Sequence, residues 1–123
     1  MAHPKAWWAG VAAYMAWVGV MSVIPTDTRL PEGHLDKVAH FIVYLILAGL
    51  LAVGLRGRAG TARWRLGAWA WASVYGALLE GVQLFLPWRS GDWLDLAVNA
   101  AGAAAGAWGV RWRMTGAGAG AGR

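Results

Sequence analysis

The stretch VAHFIVYLILAGLLAVGL, residues 38–55, decides the fold class, because its 18 positions are almost continuously apolar. A helix rises about 1.5 Å per residue, so a run of this length approaches the roughly 30 Å hydrocarbon core of a bilayer. Three further apolar runs have comparable length: Ala6–Ile24, Leu66–Leu86 and Leu94–Val110. Helices satisfy their own backbone groups in lipid. The sequence therefore predicts an all-α integral membrane protein, a bundle of four transmembrane helices.

The composition supports a membrane protein over a soluble domain. Hydrophobic residues make up 59% of the 123 residues and charged residues 14%, whereas soluble domains have roughly 25% charged residues. The chain contains no cysteine, which excludes disulfides, thiolate catalysis and cysteine-bound metals. Residues 1–114 are interpreted as one transmembrane domain, and the Gly/Ala tail 115–123 is predicted to be disordered.

The basic residues predict how the bundle is oriented. The loop between the second and third runs contains four arginines and no acid: Arg56, Arg58, Arg63 and Arg65. Lys5 precedes the first run, and Arg111 and Arg113 follow the last. By the positive-inside rule these regions are cytoplasmic, so both termini are predicted to lie inside. The net charge of +5 is thus interpreted as a topology signal, and no nucleic-acid partner is expected.

Polar residues concentrate at the opposite, outer ends of the second, third and fourth spans. Helical spacing places Asp36, His40 and Tyr44 on one face of the second span. The third span carries Glu80 and Gln83 on one face. The fourth has a stripe of Asp92, Asp95 and Asn99, followed by Gly102 and Gly106. We expect these three faces to meet in a pocket open to the outer leaflet, and we interpret the first span as having no polar face.

Glu80 is the residue that most strongly indicates function. A carboxylate inside the membrane costs roughly 2.5–3.5 kcal/mol on insertion scales, so it is expected to face inward and find a partner. We predict that Glu80 and His40 form an acid–base pair with Asp36 orienting His40, as proton-transfer chemistry requires. Lys37 and Arg89 at the rim are predicted to bind an anionic headgroup.

Structural explanations remain open for several of these residues. Tyr44, Gln83 and Asn99 are equally interpretable as interhelical hydrogen-bond partners, and Asp92 and Asp95 as N-terminal caps of the fourth helix. Asp36 and His40 fit a capping pair or metal ligands as well as a catalytic pair. No cofactor or metal is assigned, although Asp36, His40, Glu80 and Asp95 together form a set that a divalent ion could use.

Two segments resemble the VanZ-like membrane protein family: DKVAHFIVYLILAGL, residues 36–50, and EGVQLFLPWRSGDWLDLAVNAAGAAAG, residues 80–106. The first carries the family's Asp-Lys-x-x-His pattern and its tyrosine as Asp36, Lys37, His40 and Tyr44. The positions that match the second block are Glu80, Gln83, Pro87, Arg89, Asp92, Asp95, Asn99 and Gly102, with Ser90 in its small polar slot.

The resemblance implies a small multi-pass protein of a bacterial or archaeal cytoplasmic membrane. The family's founder is associated with resistance to the lipid-bearing glycopeptide teicoplanin, but the resemblance implies no particular reaction. The expected partners are membrane lipids and a lipid-linked or lipoglycopeptide ligand. Three functions stay open, namely an enzyme acting on such a cell-envelope substrate, a non-catalytic binder or assembly factor, and a small dimeric transporter.

Overall fold

The computed structural model describes residues 4–24, 34–59, 63–87 and 93–110, and these residues form four α-helices without a strand. The helices are α1 (Pro4–Val23), α2 (His34–Ala59), α3 (Arg63–Leu84) and α4 (Trp93–Gly109). Each coincides with one predicted span. The second helix extends four residues beyond the predicted apolar run at either end. The helix is held by backbone hydrogen bonds, which form irrespective of side-chain polarity, so its termini include polar residues that the apolar run left out.

The third helix ends two residues earlier than predicted. The amides of Phe85 and Leu86 donate hydrogen bonds to the carbonyls of Val82 and Gln83, at 3.0 and 3.1 Å. These bonds span three residues and tighten the last turn before Pro87, whose ring disfavours a helical conformation in the residue before it. The chain therefore leaves the helix before the apolar run is over.

The second helix lies at the centre of the bundle and packs against all three others, most extensively against α4. Two glycines of α4 allow this close approach. A Cβ atom built on Gly102 would lie 2.3 Å from the Phe41 carbonyl oxygen, and one on Gly106 would lie 2.0 Å from that of Leu45. The two backbones therefore touch, which is how small residues spaced four apart allow helices to pack closely in membranes.

The first helix packs against α2 and α3 less extensively, and hydrogen bonds from side chains to carbonyl groups contribute to its docking. Tyr14 Oη donates to the Val43 carbonyl at 2.9 Å, and Tyr75 Oη donates to the Met15 carbonyl at 2.5 Å. Near the other end of the helix, Trp7 Nε1 donates to the Leu50 carbonyl at 3.0 Å. These bonds cross between helices and so fix the position of α1 along its neighbours.

The bundle buries several polar side chains and exposes many large apolar ones, unlike a typical water-soluble protein. Glu80, Gln83, Asp95 and Asn99 are buried, whereas large apolar side chains face outward from every helix. Those at least half exposed include Trp17, Val20, Val38, Leu66, Trp71, Val74, Leu78, Leu84, Phe85, Trp93, Leu94 and Trp108. Burial of polar groups with exposure of apolar ones is the arrangement expected in a lipid solvent.

Two helical segments are long and apolar enough to cross a membrane, Lys5–Val23 and Lys37–Arg56. Few of their residues are buried inside the bundle, unlike those of a core helix in a soluble protein. With the outward-facing apolar side chains, these segments indicate a membrane protein.

Candidate functional site

The polar residues converge at one end of the bundle. Because successive helices run in opposite directions, the end of α1, the start of α2, the end of α3 and the start of α4 lie together there. The polar faces predicted on the second, third and fourth spans do meet at this end.

An ion pair joins α2 to α4 at this site. Lys37 Nζ lies 2.6 Å from Asp95 Oδ1, and the Asp95 side chain is only 5% exposed. The second carboxylate oxygen, Oδ2, lies 3.6 Å from His40 Nε2. Asp95 thus presents one oxygen to each of two basic side chains from successive turns of α2, and its role extends beyond the N-terminal cap that the sequence left open.

Glu80 of α3 completes a three-residue cluster with His40 and Asp95. One ligand-type atom from each of these residues lies within 4.8 Å of the other two. Glu80 is 3% exposed. Asp95 is as buried as Glu80, and the two carboxyl groups share one site with an imidazole.

Asn99 and Tyr44 lie next to this cluster, and Gly76 makes room for them. A Cβ atom on Gly76 would lie 3.0 Å from both Asn99 Nδ2 and Tyr44 Cε1. Asn99 is 2% exposed, and its Oδ1 accepts no hydrogen bond from the described part of the chain. A buried amide oxygen without a donor is costly, so this atom is suited to an external partner.

A cavity of about 150 Å³ lies beside these groups, and all four helices line it. Its polar wall is formed by Ser22, His40, Tyr44, Glu80, Gln83 and Asn99. Its apolar wall consists of Trp17, Val18, Met21, Ala39, Val43, Gly76 and Leu79. Trp17 and Met21 are also exposed on the outer surface of α1, so the cavity borders the surface that would face lipid.

The first helix takes part in the site, although the sequence analysis assigned polar faces to the other three helices alone. Gln83 Nε2 donates a hydrogen bond of 2.8 Å to the carbonyl oxygen of Ser22. The Ser22 hydroxyl bonds back to the Val18 carbonyl at 2.7 Å within its own helix. Sequence spacing could not detect this contribution, because α1 supplies a backbone carbonyl and apolar side chains instead of an ionisable group.

The structure brings together seven of the eleven predicted site residues: Lys37, His40, Tyr44, Glu80, Gln83, Asp95 and Asn99. Asp36 belongs to α2, but its side chain lies outside the described residues, as do Arg89, Ser90 and Asp92. The predicted orientation of His40 by Asp36 and the predicted headgroup contact of Arg89 therefore stay predictions. Lys37, predicted as an anion ligand, is engaged with Asp95.

Basic side chains gather at the opposite end of the bundle, where α2 ends and α3 begins. Arg65 Nη2 donates to the Val110 carbonyl at the end of α4, at 2.8 Å, and its guanidinium lies 4.2 Å from the centre of the Trp64 ring. Trp64 is only 1% exposed. The two ends of the bundle therefore differ, with arginines at one and the buried acidic cluster at the other.

The family model described as VanZ/LLP1 matches residues 3–114, nearly the whole chain. The chain belongs to this family, as the resemblance of its two motif segments implied. No curated protein and no solved structure matches it significantly.

Proposed function

We propose that this VanZ/LLP1 family member spans the cytoplasmic membrane four times and uses its buried cluster to act on an amphiphilic, lipid-linked cell-envelope substrate. The single observation that carries this proposal is the cavity, which combines Glu80, His40 and Asn99 on one wall with Trp17 and Met21 on the other. Such a lining matches a ligand that has a polar head and an apolar chain.

The topology follows from the difference between the two ends. Arg56, Arg63 and Arg65 lie at the end where α2 and α3 join, and Lys5 begins α1 at the same end. The positive-inside rule assigns this end to the cytoplasm and the cavity to the outer half of the membrane. α3 and α4 then cross as well, with their polar residues turned towards the bundle and their apolar residues towards lipid.

The size of the cavity limits what enters it. An engineered cavity of about 150 Å³ holds a benzene ring, so a space of this volume admits a headgroup or part of a sugar, but not a whole lipid. We infer that the headgroup enters between the polar and apolar walls while the apolar chain stays outside along Trp17 and Met21, both more than 40% exposed.

The chemistry that the cluster offers is proton transfer. Glu80 and His40 are placed within reach of one another, and a carboxyl group beside an imidazole can protonate a leaving group or deprotonate a nucleophile near neutral pH. Asp95, close to His40 Nε2, would orient the ring. In this proposal Asp95 acts as a positioning residue, the role that the sequence assigned to Asp36.

Growth protection tests this function. A glycopeptide-sensitive Gram-positive host would express the wild-type chain, Glu80→Gln, His40→Ala and the control Gly10→Ala at matched membrane levels. Gly10→Ala is the control because nothing lies within 4 Å of its added atom and Gly10 does not line the cavity. We expect wild type and control to protect against the lipid-bearing drug and not against a lipid-free glycopeptide, and both cluster variants to fail.

The variants also separate catalysis from binding. Protection by Glu80→Gln equal to that by wild type would contradict proton transfer and favour the non-catalytic amphiphile binder, because a glutamine retains hydrogen bonding without an exchangeable acid. Absence of protection by wild type would contradict the link to lipoglycopeptides.

A further inference from the structure

We propose that His40, Glu80 and Asp95, together with Asn99 Oδ1, bind one divalent transition-metal ion such as Mn²⁺ or Zn²⁺. This inference goes beyond the proposed function, because it concerns an ion that binds whether or not any amphiphile is present. With the ion bound, Glu80 and His40 act as ligands, and the proton transfer proposed above belongs to the ion-free chain. It rests on two independent observations, the convergence of three ligand-type side chains and the unpartnered buried amide oxygen beside them.

The spacing of the three side chains suits an ion after a small adjustment. Ligand atoms about 2.1 Å from one ion lie at most about 4.2 Å apart, and those of His40, Glu80 and Asp95 lie within 4.8 Å of one another. The widest separation therefore has to close by roughly 0.6 Å, which rotation of a glutamate side chain can supply without moving a helix. His40 Nε2 and Asp95 Oδ2, at 3.6 Å, already have the separation of neighbouring ligands.

Asn99 provides the second observation. It follows Asp95 by one helical turn, so both side chains project from the same face of α4. Asn99 lines the cavity shared by His40 and Glu80, and its Oδ1 is buried with no hydrogen-bond donor among the described residues. An amide oxygen is a metal ligand in many protein sites, and coordination would satisfy this atom.

Lys37 fits the site as a group that positions a ligand. It contacts Asp95 Oδ1, whereas Oδ2 lies 3.6 Å from His40 Nε2 and is the oxygen that would bind the ion. Metal-bound carboxylates are commonly held by such a hydrogen bond from a neighbouring side chain. The ion pair and the ion therefore use different oxygens of the same carboxylate.

The donor set indicates the class of ion. One imidazole nitrogen, two carboxylates and one amide oxygen form a mixed set that suits Zn²⁺ or Mn²⁺, since imidazole favours the first and oxygen donors the second. Glu80 and Asp95 contribute two negative charges, against which Lys37 supplies one positive charge. A divalent ion would leave the site positive overall and able to attract an anionic headgroup.

Ion binding is measured on the full chain in nanodiscs of zwitterionic lipid, with empty discs as the blank. Equilibrium dialysis against Mn²⁺ and against Zn²⁺, followed by elemental analysis, gives the stoichiometry and affinity. Pulsed electron paramagnetic resonance of bound Mn²⁺ reports nitrogen coupling from an imidazole ligand. We expect one ion per chain, with a nitrogen coupling that disappears in His40→Gln.

The other variants locate the ion. Glu80→Gln should weaken binding of the ion by roughly tenfold or more, because loss of a hydrogen-bond partner outside the coordination shell alone weakens metal binding by that much. Gly10→Ala, which adds a methyl group away from the cavity, should bind the ion as the wild-type chain does. Lys37→Met keeps all four ligands and should bind at reduced affinity with the nitrogen coupling intact. Each variant must elute as wild type does on gel filtration and retain its helical circular dichroism.

Two results would overturn the ion site: no ion above the level of empty discs, or unchanged binding and nitrogen coupling in His40→Gln and Glu80→Gln. The failures of the two proposals are distinguishable. A chain that protects cells but binds no ion contradicts this inference alone, whereas a chain that binds the ion but never protects contradicts the proposed function alone.

Discussion

Lys37 and Asp95 are 58 residues apart in the sequence, yet Lys37 Nζ and Asp95 Oδ1 lie 2.6 Å apart and join α2 to α4. The lysine is one turn before His40 on α2, and the aspartate is one turn before Asn99 on α4. The pair thus lies at the edge of the cavity and aligns α2 and α4, which contribute His40, Tyr44 and Asn99 to its polar wall.

Breaking this ion pair from one side should destabilise the bundle. Asp95→Asn leaves the lysine without its counter-charge. We expect the free energy of unfolding to decrease by about 2 kcal/mol, which lies between the values for exposed and fully buried ion pairs. Thermal unfolding in detergent, followed by circular dichroism, measures this decrease. The double variant Lys37→Met/Asp95→Leu should be less destabilised than the sum of the single variants, and strictly additive losses would argue against a coupled pair.

The glycines of α4 should be intolerant of a single added methyl group. Gly102→Ala and Gly106→Ala place a Cβ within 2.3 Å of backbone carbonyl oxygens of α2, so the helices must separate. We expect a large decrease in the unfolding temperature. Gly10→Ala is the matched control, because nothing lies within 4 Å of its added atom. Equal tolerance at all three positions would contradict the observed backbone contact.

A methyl group at Gly76 should impair the site more than the fold. Its Cβ would press on Asn99 Nδ2 and Tyr44 Cε1 at 3.0 Å, and the Tyr44 ring is 4% exposed and cannot swing away. We expect Gly76→Ala to lose protection against the lipid-bearing drug with a modest decrease in unfolding temperature. Full protection by Gly76→Ala would show that the Asn99 amide is not required.

Removing the Tyr75 hydroxyl should loosen α1. Tyr75→Phe loses the hydrogen bond to the Met15 carbonyl, and such interhelical bonds average about 0.6 kcal/mol in membranes. The chain has no cysteine, so pairs of introduced cysteines carry spin labels without background. The distance distribution between labels at Ala13 and Val74 should broaden in Tyr75→Phe and stay narrow in Ser22→Ala.

Introducing a charged residue on the outer face of α3 tests whether this helix spans the membrane or lies in water. Val74 is central in α3 and 57% exposed, so Val74→Lys should be neutral in water but cost roughly 2.5–3.5 kcal/mol at the centre of a membrane. We expect reduced membrane insertion, measured by fractionation and protease protection. Phe85→Lys is the control, because Phe85 is also exposed but lies beyond the end of α3. Unchanged insertion of Val74→Lys would contradict the four-span topology.

Local patterns predicted the elements well, because helix formation in an apolar segment depends on residues within one or two turns. All four helices occur where apolar runs were counted, and helical spacing correctly placed His40 and Tyr44, or Asp95 and Asn99, on shared faces. The participation of Ser22 was missed because the contact of its carbonyl with Gln83 and its place in the cavity wall depend on how α1 packs against α3.

By itself, the sequence determined the helices, the family and the end of each helix at which polar residues collect. Only the tertiary structure decided that Asp95 lies close to His40, that Asp95 is as buried as Glu80, and that α1 completes the cavity. The reason is physical. Spacing along one helix sets the direction of each side chain relative to its neighbours, but distances between helices depend on their rotation and approach, which here follow from close contact at Gly102 and Gly106 with the backbone of α2.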